Sequence, residues 1–192
     1  MPKQAVIERI YVWDKFIRLH HWLIAILIPV NGWLLTGGDD VHRWTGYLLA
    51  ALVSARIVWG FIGHGAALFS QFFPTPQRVL HYLCHYRNPH SPLPSGHNPL
   101  GASMALLMLS LIFALAITGW LMGTDAYWGE DWLQNLHSNI FNILIICATI
   151  HVSMVILHSL HLRINLPRAM LTGYKNRTNA SRRLETKAEL KR

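Results

Sequence analysis

The stretch LQNLHSNIFNILIICATIHVSMVILHSLHL, residues 133–162, decides the fold, because it contains no Asp, Glu, Lys or Arg. A bilayer core about 30 Å thick takes roughly 20 mainly apolar residues per helix, so this run is long enough to cross one. Working outward, three further runs have the same character: 17–36, 42–62 and 98–122. Four such runs predict an all-α integral membrane protein, a four-helix transmembrane bundle. The first run is too long for a secretory signal, is followed by no small-residue cleavage site and leads directly into a second span. It is expected to stay on the protein.

Composition agrees. Of 192 residues 52% are apolar and 14% charged, against about 25% charged in an average soluble domain. With a mean hydropathy of +0.27, disorder is excluded and a soluble globule is argued against. Two cysteines, Cys84 and Cys147, form neither CxxC nor CxxCH. A covalently attached c-type haem and a thiolate metal cage are thereby excluded.

The net charge of +8 is unevenly placed. Lys3, Arg9, Lys15 and Arg18 precede or open the first run, Arg78 and Arg87 lie in the loop after the second, and Arg163 to Arg192 hold most of the remainder. Four spans put all three groups on one side. The opposite loops carry Asp39, Asp40, Asp125, Glu130 and Asp131, with Arg43 as their basic residue. By the positive-inside rule both termini are cytoplasmic in a bacterial inner membrane, and no nucleic-acid partner is needed to explain the charge. Residues 1–175 form the membrane domain, and 176–192 form a basic cytoplasmic tail attracted to anionic lipid. In the loop 64–97, residues 76–86 place Val79, Leu80 and Leu83 near one face, which predicts a short helix on the inner membrane surface. His81 and His85 on it read as an interfacial polar face. No internal repeat is evident.

Twelve histidines are the notable excess. Ionisable residues inside spans are costly and point to function, and neutral imidazoles on facing helices suit a six-coordinate haem iron that transfers electrons. His137 and His151 are fourteen residues apart, which is about 21 Å along a helix and roughly 40° around it. Two haems stacked near opposite membrane surfaces need that spacing. Because the fourth run travels from outside to inside, His137 meets the level of His42, and His151 meets the half from which the first run enters. The pairs are His42 with His137 and His21 with His151. Spacing leaves His20 as an alternative to His21, pointing about 100° away, and His158 as an alternative to His151.

Arg56 lies fourteen residues after His42 and reaches the level of the inner haem, where a propionate would pair with it; snorkelling to the interface is the competing reading. Gly32, Gly46 and Gly119 allow close approach of a macrocycle or of a neighbouring helix. Met104, Met108, Met122 and Met154 read as packing.

Together, Trp13-Asp14, Arg18-Leu19-His20-His21-Trp22, the run from Asp40 to Tyr47, the run from Arg56 to Gly63, the run from Gly96 to Ala102, Thr118-Gly119, His151-Val152 and the segment from His161 to Lys175 resemble the bacterial cytochrome b561 family. Within it they are closest to the b-type cytochrome subunits of nickel-iron hydrogenases and their stand-alone di-haem relatives. The resemblance implies that the histidine before tryptophan in the first helix is a ligand, which selects His21. It also implies one ligand in the second helix and two, fourteen apart, in the fourth: His42, His137 and His151. Ser138 stands where relatives often have an acidic residue, and the stretch from His161 to Leu166 is less polar than theirs.

The expected protein is therefore a membrane cytochrome with two stacked haem b groups. It would pass electrons between membrane quinone and a redox partner such as a periplasmic c-type cytochrome, a hydrogenase or a dehydrogenase subunit, either as a carrier or as a quinone-linked oxidoreductase. A superoxide oxidase feeding ubiquinone ranks second, since an anionic substrate calls for a cationic outer surface. A haem-free metal or proton transporter ranks third, because no Asp or Glu lies inside the four runs.

Overall fold

The computed structural model describes residues 8–85, 98–162 and 165–177. Lys3, Arg87, Gly96, His97, Arg163 and the tail from 178 onward, all used in the reading above, lie outside the described residues. The chain begins with strand β1 (Glu8–Tyr11) and helix α1 (Lys15–Pro29), which continues as a π-helical turn (Val30–Leu34). Helix α2 (Asp40–Ile62) follows, then the short α3 (Phe69–Phe72) and α4 (Pro76–His85). The long α5 (Pro99–Met122) and α6 (Asp131–Leu162) come next, then α7 (Leu166–Thr172) and strand β2 (Tyr174–Arg177).

Among the described residues three helices are long and apolar enough to cross a membrane: Asp40–Ile62, Pro99–Leu121 and Asp131–Leu160. The run 17–36 takes another form. Its α-helix ends at Pro29, which has no N–H for the helix ladder, and the next turn widens to π geometry with the Leu35 N–H donating to the Val30 carbonyl. Wide turns of this kind recur at functional sites.

The all-α expectation needs one correction. β1 and β2 pair antiparallel, with Ile10 opposite Lys175 and Tyr11 opposite Tyr174, and the two tyrosine rings meet edge to face at 5.2 Å. Partners so far apart in sequence leave no local periodicity, so hydropathy could not reveal the ribbon.

The chain divides into two compact units. One is drawn from the described residues of Met1–Arg18, His64–Ser103 and Met154–Arg192. Here short-range capping does much of the work. The Asp14 carboxylate accepts the Ile17 N–H at 2.8 Å and starts α1; Asn98 accepts the Gly101 N–H at 2.6 Å and starts α5, with Pro99 behind it. Asn165 caps α7 through the Arg168 N–H at 2.8 Å, and Gly173 ends it in the left-handed region at φ 88°. The Gly173 carbonyl then accepts the N–H groups of Val12 and Trp13 at 2.8 and 3.2 Å, and the Arg18 guanidinium donates to the Leu171 carbonyl at 2.6 Å. The predicted surface helix is α4, with Leu80 and Leu83 exposed on it.

The other unit comprises Leu19–Gly63 and Met104–Ser153. Its core is Leu49 and Val53 of α2, Ile112 of α5 and Leu144 of α6, with Ile24, Leu27 and Ile28 of α1 and Met108 packed against them. Outside this core the apolar side chains face outward: Phe61, Val58, Leu48, Ile146 and Ile150 are all exposed. Such a surface costs about 25 cal/mol per Å² in water and nothing comparable in hydrocarbon. Exposed Trp33, Trp44, Trp120 and Trp132 sit at the ends of the apolar segments opposite to the basic residues, where amphipathic rings mark a membrane interface.

Candidate functional site

His21, His42, Arg56, His137 and His151 all belong to the second unit. His42 stands in the first turn of α2, and its Nδ1 contacts the Asn31 carbonyl at 3.1 Å. That carbonyl lies in the π turn at the end of the first helical segment, where carbonyls lack partners of their own ladder. His137, one and a half turns into α6, has its Nδ1 2.8 Å from the hydroxyl of Thr118 on α5. The two imidazole rings face each other with centroids 6.4 Å apart and planes inclined at 61°. Two imidazoles sharing one metal through nitrogen bonds of about 2 Å each have ring centres about 6 Å apart. The residues present therefore fit a bis-imidazole group.

His21 and His151 lie within electrostatic range of each other. Both are half-buried, and the His21 Nδ1 is buried without a hydrogen-bond partner among the described residues. Because His137 and His151 share the unbroken α6, they are separated by about 21 Å along that helix. His158 turns its Nδ1 onto the Met154 carbonyl of its own helix at 3.1 Å. It lies in the other unit.

Spacing leaves His20 as the alternative to His21, and the structure buries His20 while His21 is half-buried. His20 is the more buried, 7% exposed, and its Nε2 reaches the Leu52 carbonyl at 3.1 Å. It lies in electrostatic range of Arg56. Arg56 is itself 7% exposed, so it does not snorkel, and a guanidinium so enclosed calls for an anionic partner.

The glycines separate by role. A side chain at Gly32 would collide with the Phe141 ring, which is packed against the bare backbone there. A Cβ at Gly119 would touch His137 Cε1 at 3.4 Å, while Gly46, one turn beyond His42, has open space before it. Among the described residues no group of three or more His, Cys, Asp or Glu side chains could hold a metal ion. A facing pair, His42 with His137, is the arrangement present, and a pair suits an iron already held in a macrocycle. The Thr118 hydroxyl, the Asn31 carbonyl and the burial of His20 were missed from sequence; of these, the Thr118-Gly119 motif alone carried a signal.

Long helices with apolar exteriors and a pair of imidazoles facing each other from two of them are those of a membrane cytochrome of the b type. The chain belongs to the prokaryotic cytochrome b561 family, whose description matches residues 12–173, and haem b is the cofactor of that class. Among curated proteins it is similar to three that are each named "Probable Ni/Fe-hydrogenase B-type cytochrome subunit". The protein of Rhizobium leguminosarum bv. viciae is 26% identical over 174 residues, covering 73% of this chain and 71% of the relative. Those of Bradyrhizobium diazoefficiens and Azotobacter vinelandii are each 25% identical, covering 70% and 66% of this chain and 66% and 65% of the relatives. No solved structure gives a significant match.

Proposed function

We propose that this chain is a four-span, di-haem b-type cytochrome of the bacterial inner membrane that carries electrons between the quinone pool and a redox partner protein. The observation that carries the reading is the facing of His42 and His137, with His151 fourteen residues further along α6 in electrostatic range of His21. His42 with His137 would hold the outer haem, and His21 with His151 the inner one. When bound, haem supplies reversible one-electron transfer through a medium that excludes water. The chain's own residues do the rest. Four imidazoles would provide neutral nitrogen ligands, Arg56 would pair with a propionate carboxylate at the inner level, and the apolar helices would keep water away from both.

The ribbon supports the span count. β1 and β2 are hydrogen-bonded, so residues 8–11 and 174–177 share one side of any bilayer, and an even number of crossings must lie between them. Three long apolar helices are an odd number. The helical stretch from Lys15 through Leu34 supplies the fourth, since about 20 residues cover the hydrocarbon thickness. Both termini are then on one side, and the density of Lys and Arg in the arm and in the tail 176–192 makes it the cytoplasmic side. Residues 1–175 act as one cytochrome domain. On the outer side Arg43 is ion-paired with Asp40, which leaves Asp39, Asp125, Glu130 and Asp131 to favour a partner with a basic docking face. The names of the relatives point to a hydrogenase subunit as that partner, and a dehydrogenase subunit or a periplasmic c-type cytochrome fits the same chemistry.

A reduced-minus-oxidised spectrum of the purified protein tests the reading. A b-type band with two haems per chain is expected; a colourless protein that binds a free metal ion instead would end it.

A further inference from the structure

We propose that Thr118 is a positioning residue that locks His137 in the tautomer presenting Nε2 to the metal, and so sets the potential of the outer haem alone. The inference rests on the di-haem reading and adds to it a residue outside the ligand set.

Thr118 is 6% exposed, so water does not complete its hydrogen bonding. Its hydroxyl lies 2.9 Å from the Ala114 carbonyl, 3.1 Å from the Leu115 carbonyl and 2.8 Å from His137 Nδ1. A threonine hydroxyl owns one proton and two lone pairs. Nδ1 is engaged by the hydroxyl, so Nε2 is the nitrogen left for a metal, and an imidazole that ligates through Nε2 carries its proton on Nδ1. The hydroxyl then gives its own proton to one of the carbonyls, which can only accept, and faces the imidazole with a lone pair. His137 must then donate from Nδ1–H, which leaves the lone pair on Nε2. The Asn31 carbonyl imposes the same choice on His42, because it too can only accept from Nδ1–H. Both rings of the facing pair thus carry their free lone pair at Nε2.

The two supports differ in kind. Asn31 acts through its backbone, at the turn that Pro29 widens. Thr118 acts through a side chain on a third helix, which makes it the support that a substitution can remove. A hydrogen bond accepted from the far nitrogen raises the basicity of an imidazole ligand and fixes its ring plane. A more basic ligand favours the oxidised metal, so Thr118 lowers the potential of its own haem and leaves the inner one untouched.

The test is redox titration of the purified holoprotein, followed optically and by electron paramagnetic resonance, for the parent, Thr118→Val and Thr118→Ser. Valine keeps shape and removes the acceptor. The expected result is a rise of one midpoint potential equivalent to about tenfold in the reduced-to-oxidised ratio, about 59 mV for one electron. One low-spin signal should change with it, the other haem should keep its values, and serine should restore the parent behaviour. Should the valine variant fail to accumulate, Thr118→Ala is read in the same way. Unchanged potentials and signals in either variant, or equal shifts at both haems, overturn the proposal while the two haems of the parent leave the di-haem reading standing. A parent without haem removes both.

Discussion

Arg56 shows how much one residue can say about its surroundings. A guanidinium is not neutralised by losing its proton, so burying it requires a compensating anion. Arg56 lies near His20, one turn past the Leu52 carbonyl that His20 contacts, and in the proposed reading a propionate of the inner haem would be that anion. Removing the positive charge with Arg56→Gln should lower the midpoint potential of the inner haem by tens of millivolts, about 59 mV for each tenfold change in the ratio, without altering haem content. Potentiometric titration would show it, and a shift confined to the outer haem would be the contrary result. The ligand assignment is tested beside it. His151→Ala should leave one haem per chain in a pyridine haemochrome assay, whereas His158→Ala should leave two, because His158 is engaged with its own helix backbone. The fourteen-residue spacing was legible because a helix converts separation directly into height and angle. The neighbours of each imidazole were not, since they come from other helices.

At the scale of the element, the break in the first span matters most. Pro29 ends α1 and the π turn that follows offers the Asn31 carbonyl to His42, so a feature that weakens the helix supports a site residue. The same turn holds Gly32 against Phe141, and Phe141 is one turn from His137 on α6. Adding a methyl group with Gly32→Ala forces that ring aside. The expected cost is about 1–3 kcal/mol, seen as a lower temperature of haem loss from the outer site, and a compensating Phe141→Leu should recover part of it. An equal temperature in parent and variant would show that the contact is slack. At the opposite end of the chain, Gly173 has φ 88° and a Cβ there would stand 2.8 Å from the Trp13 carbonyl. Gly173→Ala should loosen the ribbon by about 1–3 kcal/mol, measurable as faster amide exchange at residues 8–12 with both haems retained. The caps at Asp14, Asn98 and Asn165 were readable as motif residues before their role as helix starts was visible. The ribbon was not, because its two strands are joined only through the fold.

For the whole molecule, strand pairing puts residues 8–11 and 174–177 on one side of any bilayer, and the proposed topology assigns that side to the cytoplasm from charge. Cysteine substitutions read it directly. With Cys84 and Cys147 replaced by serine and alanine, a cysteine at Asp125 should react with a membrane-impermeant maleimide in intact cells. One at Ser181 should react only after the membrane is opened, and labelling of both in intact cells would refute the topology. The sequence alone determined that this is a membrane cytochrome, which histidines recur at helical spacing and which loops are acidic. Those properties depend on hydropathy, on helical rise and on the cost of moving charge, all local or additive along the chain. Only the tertiary structure decided that His20 is enclosed near Arg56, that Thr118 and a π-turn carbonyl contact His137 and His42, and that residues 8–11 and 174–177 meet in a ribbon. Each of these is a contact between segments far apart in sequence, made by packing that no local pattern encodes.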